Sequence, residues 1–256
     1  SGDVPINEEE LEVFLKFEHN LGNILYFRTE KLKKKVILDP VWLIDGLQIL
    51  HSSELSAIQS SRGVKQCSPK IADDFYAFKK TGRLTQSLIG YLWSEKKDER
   101  FCQNQDYLLG VMEEMNIIVQ PVEKEKNLEK YYWVPSMIEE HAPDSVKNPR
   151  LDKEMLNSRT ITSTLCFVSK TKFIHIGVFH RLVASCLSRW PPAKEGRKYQ
   201  LYYGCCMFTV LEDDCYQLLL ALNDYAIQAT VIRITSEAKE PMSDICIKIR
   251  KFIYST

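Results

Sequence analysis

The sequence predicts an α+β fold in two parts, divided near residue 150, and three observations predict it. Apolar residues recur at helical spacing over 8–20, from 40 onward, over 81–93 and over 104–116, marking amphipathic helices. Runs rich in β-branched and aromatic residues at 131–135, 199–210, 215–223 and 226–234 read as strands. Between these textures lies "EEHAPDSVKNPRLDKEM", which combines two prolines with dense charge and reads as a boundary.

The first part, residues 1–150, opens on a helix with Leu11, Phe14, Leu15, Phe17 and Leu21 as its apolar stripe and acids in its first turn. Asn20-Leu21-Gly22 stops it, because glycine takes the left-handed conformation that closes a helix. "NILYF" and "VIL" are then two strands around the polar turn "RTEKLKKK". Asp39-Pro40 starts the next helix: Asp accepts unpaired backbone N–H groups and proline is tolerated in the first turn. Trp42, Leu43, Leu47 and Leu50 form its stripe, so the unit is helix, hairpin, helix.

The polar run 51–70 reads as a loop. "TGRLTQSLIGYLW" is expected to be a helix burying Leu84, Leu88, Tyr91 and Leu92, and "NQDYLLGVMEEMN" a helix burying Tyr107, Leu108, Val111, Met112 and Met115. "IIVQPV", the turn "EKEKNLEK" and "YYWVP" complete a winged-helix-like order, one that serves DNA binding and protein docking alike.

In the second part, residues 151–256, "TITSTLCFV" is a strand and "GVFHRLVASCLSRW" a helix with Phe179, Leu182, Val183, Cys186 and Leu187 on one face. "PPAKEGRK" is a break, three strands follow, and "SDICIKIRKFI" returns as a helix. An antiparallel sheet covered on one face by helices is the expected result.

No catalytic constellation accompanies this framework. The chain has no G-x-x-x-x-G-K-[ST], G-x-G-x-x-G or G-x-S-x-G, and "KKTGRLTQ" lacks the glycine spacing that surrounds a phosphate with backbone N–H groups. Glu113-Glu114, Glu139-Glu140 and Asp213-Asp214 are sequence neighbours whose side chains point apart, so they read as solvated charge. His19, His175 and His180 lack a positioned nucleophile or carboxylate and read as packing residues. Eight cysteines include no C-x-x-C pair, which argues for reduced thiols in an intracellular protein and against zinc.

Charge balances at 34 basic against 34 acidic residues, so no overall field draws the chain to nucleic acid. The recognition helix of a DNA-binding winged helix would carry cations; here Asp106, Glu113 and Glu114 occupy it, and Lys31, Lys33, Lys34 and Lys35 sit on a turn. No apolar run reaches membrane-spanning length, and a cytoplasmic location is expected. Tyr131-Tyr132-Trp133 and Tyr202-Tyr203 place rings on both strand faces, one face for the core and one for a neighbour or partner.

"FLKFEHNLGNILYF", "VILDPVWLID", "YYWVPSM" and "KFIHIGVFHRLVASCL" followed by "YQLYYGCCMFTV" together resemble the COR (C-terminal of Roc) domain of the Roco family, in order across nearly the whole chain. The resemblance implies a COR-A half (1–150) and a COR-B half (151–256), with no catalytic, cofactor or metal site in either. It implies an adjacent Roc GTPase domain in the same polypeptide, against which COR packs, and a homodimer formed through COR-B. Ser169, Lys170, Phe173 and Arg181 become candidates for the Roc contact, and Tyr202, Tyr203 and Met207 for dimer or inter-subdomain packing. A winged-helix nucleic-acid binder is the alternative function.

Overall fold

The computed structural model describes residues 7–48, 50, 68–95, 98–122, 129–147, 160–161, 164–196, 198–210, 215–234 and 242–255. Two compact units divide the chain: Ser1–Ser68 with Ile89–Met115, and Pro69–Leu88 with Asn116–Thr256. The architecture is α+β, as expected.

In the first unit, helix α1 (Glu8–Leu21) is held mainly by its ends. Asn7 accepts from the Glu10 amide at 2.8 Å, and the Glu10 carboxylate accepts from the Asn7 amide at 3.1 Å, a reciprocal capping box. Gly22, at φ 79°, closes the helix with its N–H on the last carbonyls. Strands β1 (Leu25–Tyr26) and β2 (Val36–Ile37) pair antiparallel. Their connecting turn is more than a solvated lysine tip. Leu32 is buried in it and sits so close to Gly110 that a Cβ there would lie 3.0 Å from Leu32 Cδ2. The Tyr107 hydroxyl donates to the Lys35 carbonyl at 3.1 Å, and Lys35 Nζ donates to Asn104 at 3.2 Å.

Asp39 starts helix α2 (Pro40–Gln48) by accepting from the Val41 amide at 3.0 Å. Trp42 of this helix stacks on Phe101 at 5.3 Å between ring centroids. The same unit holds the short α5 (Arg100–Gln103) and α6 (Gln105–Glu114), whose Leu108, Leu109, Val111 and Met112 are buried while Met115 is exposed.

Pro69–Thr81, to which the sequence reading assigns no helix, is helix α3 of the second unit, with Phe75 and Phe78 buried. The expected helix over 81–93 is instead strand β3 (Arg83–Thr85) followed by α4 (Gln86–Ser94), within which the division between units falls. β3 is a strand because it pairs with β4 (Tyr131–Trp133), and Gly82 at φ 71° ends α3. Thr85 accepts from the Leu88 amide at 3.3 Å, and the Glu129 carboxylate accepts from the Ser87 amide, so both satisfy donors at the start of α4. "IIVQPV" contributes only a bridge, Val119 to Trp133, rather than a strand.

A 3₁₀ turn (Pro135–Met137) and α7 (Asp144–Lys147) follow; the expected 150/151 boundary lies outside the described residues. The main sheet contains β5 (Thr160–Ile161), β6 (Leu165–Val168), β9 (Leu201–Tyr202), β10 (Cys205–Thr209), β11 (Tyr216–Leu222) and β12 (Ala226–Arg233). It is antiparallel throughout, with β5 and β6 both on β12, then β11, β10 and β9. "PPAKEGRKY", read as a break, carries a small hairpin of β7 (Lys194–Glu195) and β8 (Lys198–Tyr199).

Alternation sets the two sheet faces. Cys206, Phe208, Leu218, Leu220 and Val231 pack with Phe179, Val183 and Cys186 of α8 (Ile176–Leu187) and Ile245, Ile249 and Ile253 of α9 (Met242–Ser255). On the other face Tyr202, Cys205, Met207, Leu219 and Ile232 pack with Ala142, Val146 and Ala193. Thus helices α8 and α9 cover one face, and the segment around α7 helps cover the other.

Candidate docking surfaces

Chemical sites were sought first. Among the described residues no group of three or more His, Cys, Asp and Glu is placed to hold a metal. Burial pushes the Cys186 and Cys206 thiols far above the ordinary range and Cys205 up to about 12, so these sulfurs stay protonated and packed. Carboxylates with resolved shifts are engaged in ion pairs: Lys16 holds Glu12 below the usual carboxylate range, and Arg100 does the same for Asp98. Burial opposes the charge on Glu129, but Lys70 and Ser87 together hold its carboxyl low. These are structural pairings, and none has the geometry of a general acid facing a base.

The surfaces are more distinctive. Helix α1 buries no residue. Its apolar stripe is largely open: Leu11 is 45% exposed, Phe14 54%, Phe17 58% and Leu21 58%, with Val13 at 65%, while Leu15 is half-buried. At about 100° per residue these five fall on one side of the helix. Glu10 and Glu18 share that side, so the strip is apolar with acidic interruptions. Elsewhere in the unit Leu38, Val41 and Ile44 are also exposed. The physical signal was in the sequence, since the stripe itself was readable. Its direction was not, because periodicity identifies an apolar face without identifying what covers it.

In the second unit, the residues singled out from the sequence separate. Ser169, Lys170 and Phe173 lie on the loop between β6 and α8, where the Ser169 hydroxyl meets that of Thr171 at 2.8 Å. Phe173 is 63% exposed and lies edge-on to His175. Arg181, further along α8, borders a different hollow with Phe167, Val178, Leu182, Ile227 and Ile253. The four candidates therefore do not form one cluster.

Tyr202 and Met207 are buried within the sheet's second face. Tyr203 occupies the tight turn between β9 and β10 beside Gly204 at φ 65°, remains exposed, and lies edge-on to His141 at 5.3 Å. Tyr132, expected on the strand face opposite Tyr131 and Trp133, is buried as they are, so neither face of this strand is left open. Among the described residues no helix is long and apolar enough to cross a membrane.

The first unit thus offers an open apolar helix, and in the second the buried cysteines are packing residues. Residues 4–138, more than half the chain, match the family model for the COR-A domain, "C-terminal of Roc". The chain belongs to this family: it is a COR domain of a Roco protein, the non-catalytic scaffold module that neighbours Roc.

Proposed function

We propose that this COR domain docks the Roc GTPase of its own polypeptide and self-associates, so that the nucleotide state of Roc and the association of the chain are coupled, in the cytoplasm. The observation that carries this reading is the open apolar side of α1, where Phe14 and Phe17 are each more than half exposed. An isolated helix with such a face is stable only if a partner covers it or its ends hold it, and α1 has strong ends. Acidic residues along the strip favour a partner surface with basic residues beside its apolar ones.

Residues 1–150 serve as the COR-A part and 151–256 as the COR-B part, the latter supplying self-association. Coupling has a definite physical meaning here. If COR binds one nucleotide state of Roc better than another, association shifts nucleotide preference by the same free energy. The order α3, β3, α4, α6, β4, with β3 paired to β4, supports a winged-helix-like reading of the first part. Asp106, Glu113 and Glu114 on α6 make it a protein-docking version rather than a DNA reader.

Light scattering on the chain, alone and mixed with Roc in GDP and GTP-analogue forms, tests the proposal. A complex whose mass or affinity depends on nucleotide is expected. Absence of Roc binding in both states, or identical association in both, refutes docking or coupling respectively.

A further inference from the structure

A second surface in the Pro69–Leu88 and Asn116–Thr256 unit has the opposite character. A cleft of about 990 Å³ opens beside the β9–β10 turn. Its charged residues come from separate elements: Lys147 ends α7, Lys172 precedes α8 in a left-handed conformation at φ 54°, and Asp224 is the one carboxylate among the described residues lining it. Lys147 and Lys172 take part in none of the ion pairs among the described residues. His141 and His175 also border the cleft, as do the exposed rings of Phe173 and Tyr203.

His175 Nδ1 accepts from the Gly177 amide at 3.1 Å, which places the proton of the neutral ring on Nε2 and leaves that nitrogen a donor. Two free ammonium groups and an imidazole donor outweigh the single aspartate, so the cleft favours oxygen anions. Cys205, the thiol among its described residues, is kept protonated by burial. Binding rather than reaction is its chemistry.

The dimensions choose among anionic ligands. The volume reaches the upper end of small-ligand sites and far exceeds one phosphate or carboxylate. Nucleic acid would require a longer track of cations than two lysines facing an aspartate. Exposed aromatic rings next to lysines suit a chain carrying both carboxylates and an apolar side chain. We propose that this cleft docks an acidic segment of polypeptide, its carboxylates on Lys147 and Lys172 and an apolar side chain against Phe173 and Tyr203. The inference is independent of docking through α1.

The test titrates the ¹⁵N-labelled chain with the pentapeptide Glu-Glu-Leu-Glu-Glu, with Gln-Gln-Leu-Gln-Gln, and with inorganic phosphate. The acidic peptide is expected to move the Gly204 and Asn223 amides, both in the cleft, and to weaken with added salt. The double variant Lys147→Gln/Lys172→Asn should lower its affinity about tenfold, and Asn at 172 retains the left-handed backbone. Shifts confined to other residues, equal binding of the neutral peptide, or an unchanged affinity in a folded double variant would overturn the proposal. So would phosphate reproducing the shifts where the peptide does not, which assigns the cleft to a small anion. If the variant fails to fold, the salt series and neutral peptide on the unaltered chain still decide.

Discussion

Replacing Phe14 and Phe17 by Ala separates docking from folding. Each ring presents roughly 200 Å² when free, and Phe14 and Phe17 keep 54% and 58% of their residue surface open. Covering about 100 Å² per ring at about 25 cal/mol per Å² yields about 2.5 kcal/mol each. Ordering of the side chains in the complex removes about 0.5 kcal/mol of that. The remainder, about 2 kcal/mol, corresponds to about thirtyfold in affinity for each ring. Folding should feel little, because Ala is the better helix former and each ring is already more than half exposed; a change within about 0.5 kcal/mol per site is expected. Phe101, only 3% exposed in the same unit, is the contrast: Phe101→Ala should cost about 3–5 kcal/mol of stability. Urea unfolding followed by tryptophan fluorescence gives the stabilities, since Trp42 and Trp93 report on this unit, and calorimetry with Roc gives the affinities. If Phe14→Ala/Phe17→Ala destabilises the chain as much as Phe101→Ala, the α1 face is part of a core. If Roc binding is unchanged, docking occurs elsewhere.

Three further outcomes follow from local geometry. Gly82→Ala places a Cβ 2.6 Å from the Val134 carbonyl oxygen at φ 71°, whereas Gly196→Ala, at φ 60°, meets nothing within 4 Å. Both lie in the second unit, so urea unfolding should show about 1 kcal/mol for Gly196→Ala and about 3 kcal/mol or more for Gly82→Ala; equal losses would contradict the backbone clash. Because the Glu129 carboxyl is held below its ordinary value, its pairing stabilises the fold above the unfolded pKa and is lost as pH falls through the lower folded value. Glu129→Gln should therefore be less stable by about 1 kcal/mol at pH 7, with the difference shrinking in pH-dependent melts as pH falls below the ordinary carboxylate range. In alkylation followed by peptide mass spectrometry, exposed Cys102 and Cys166 should react in the folded chain, and buried Cys186, Cys205 and Cys206 only after denaturation.

What could be read from the sequence was mostly local. Gly22 and Asp39-Pro40 punctuate the first unit as expected, because a helix end is decided by one residue and the few backbone groups beside it. Helix α3 is legible too, since Ile71, Phe75 and Phe78 repeat at helical spacing after Pro69, although the sequence reading assigns nothing to 71–80. Strand β3 was not. Three residues carry no decisive period, and Leu84 is in a strand because Tyr132, far along the chain, supplies its partner. The cleft is non-local in the same way: His141, Lys147, Lys172 and Tyr203 converge only once the sheet and α8 are formed.

Helix α1 shows what spacing leaves undecided. Spacing establishes that Leu11, Phe14, Phe17 and Leu21 share a side, without saying what covers that side. The folded chain leaves that side open while burying equally apolar stripes on α6, α8 and α9. Those three stripes find cover because a neighbouring sheet or helix presents matching residues. For α1 the cap at each end makes a helix without any such cover, which uncouples its formation from burial. A helix stabilised that way can remain formed while its apolar side waits for another surface, and this is the property a docking scaffold requires. The proposed docking through α1 therefore rests on an amphipathic pattern whose apolar side the fold leaves open.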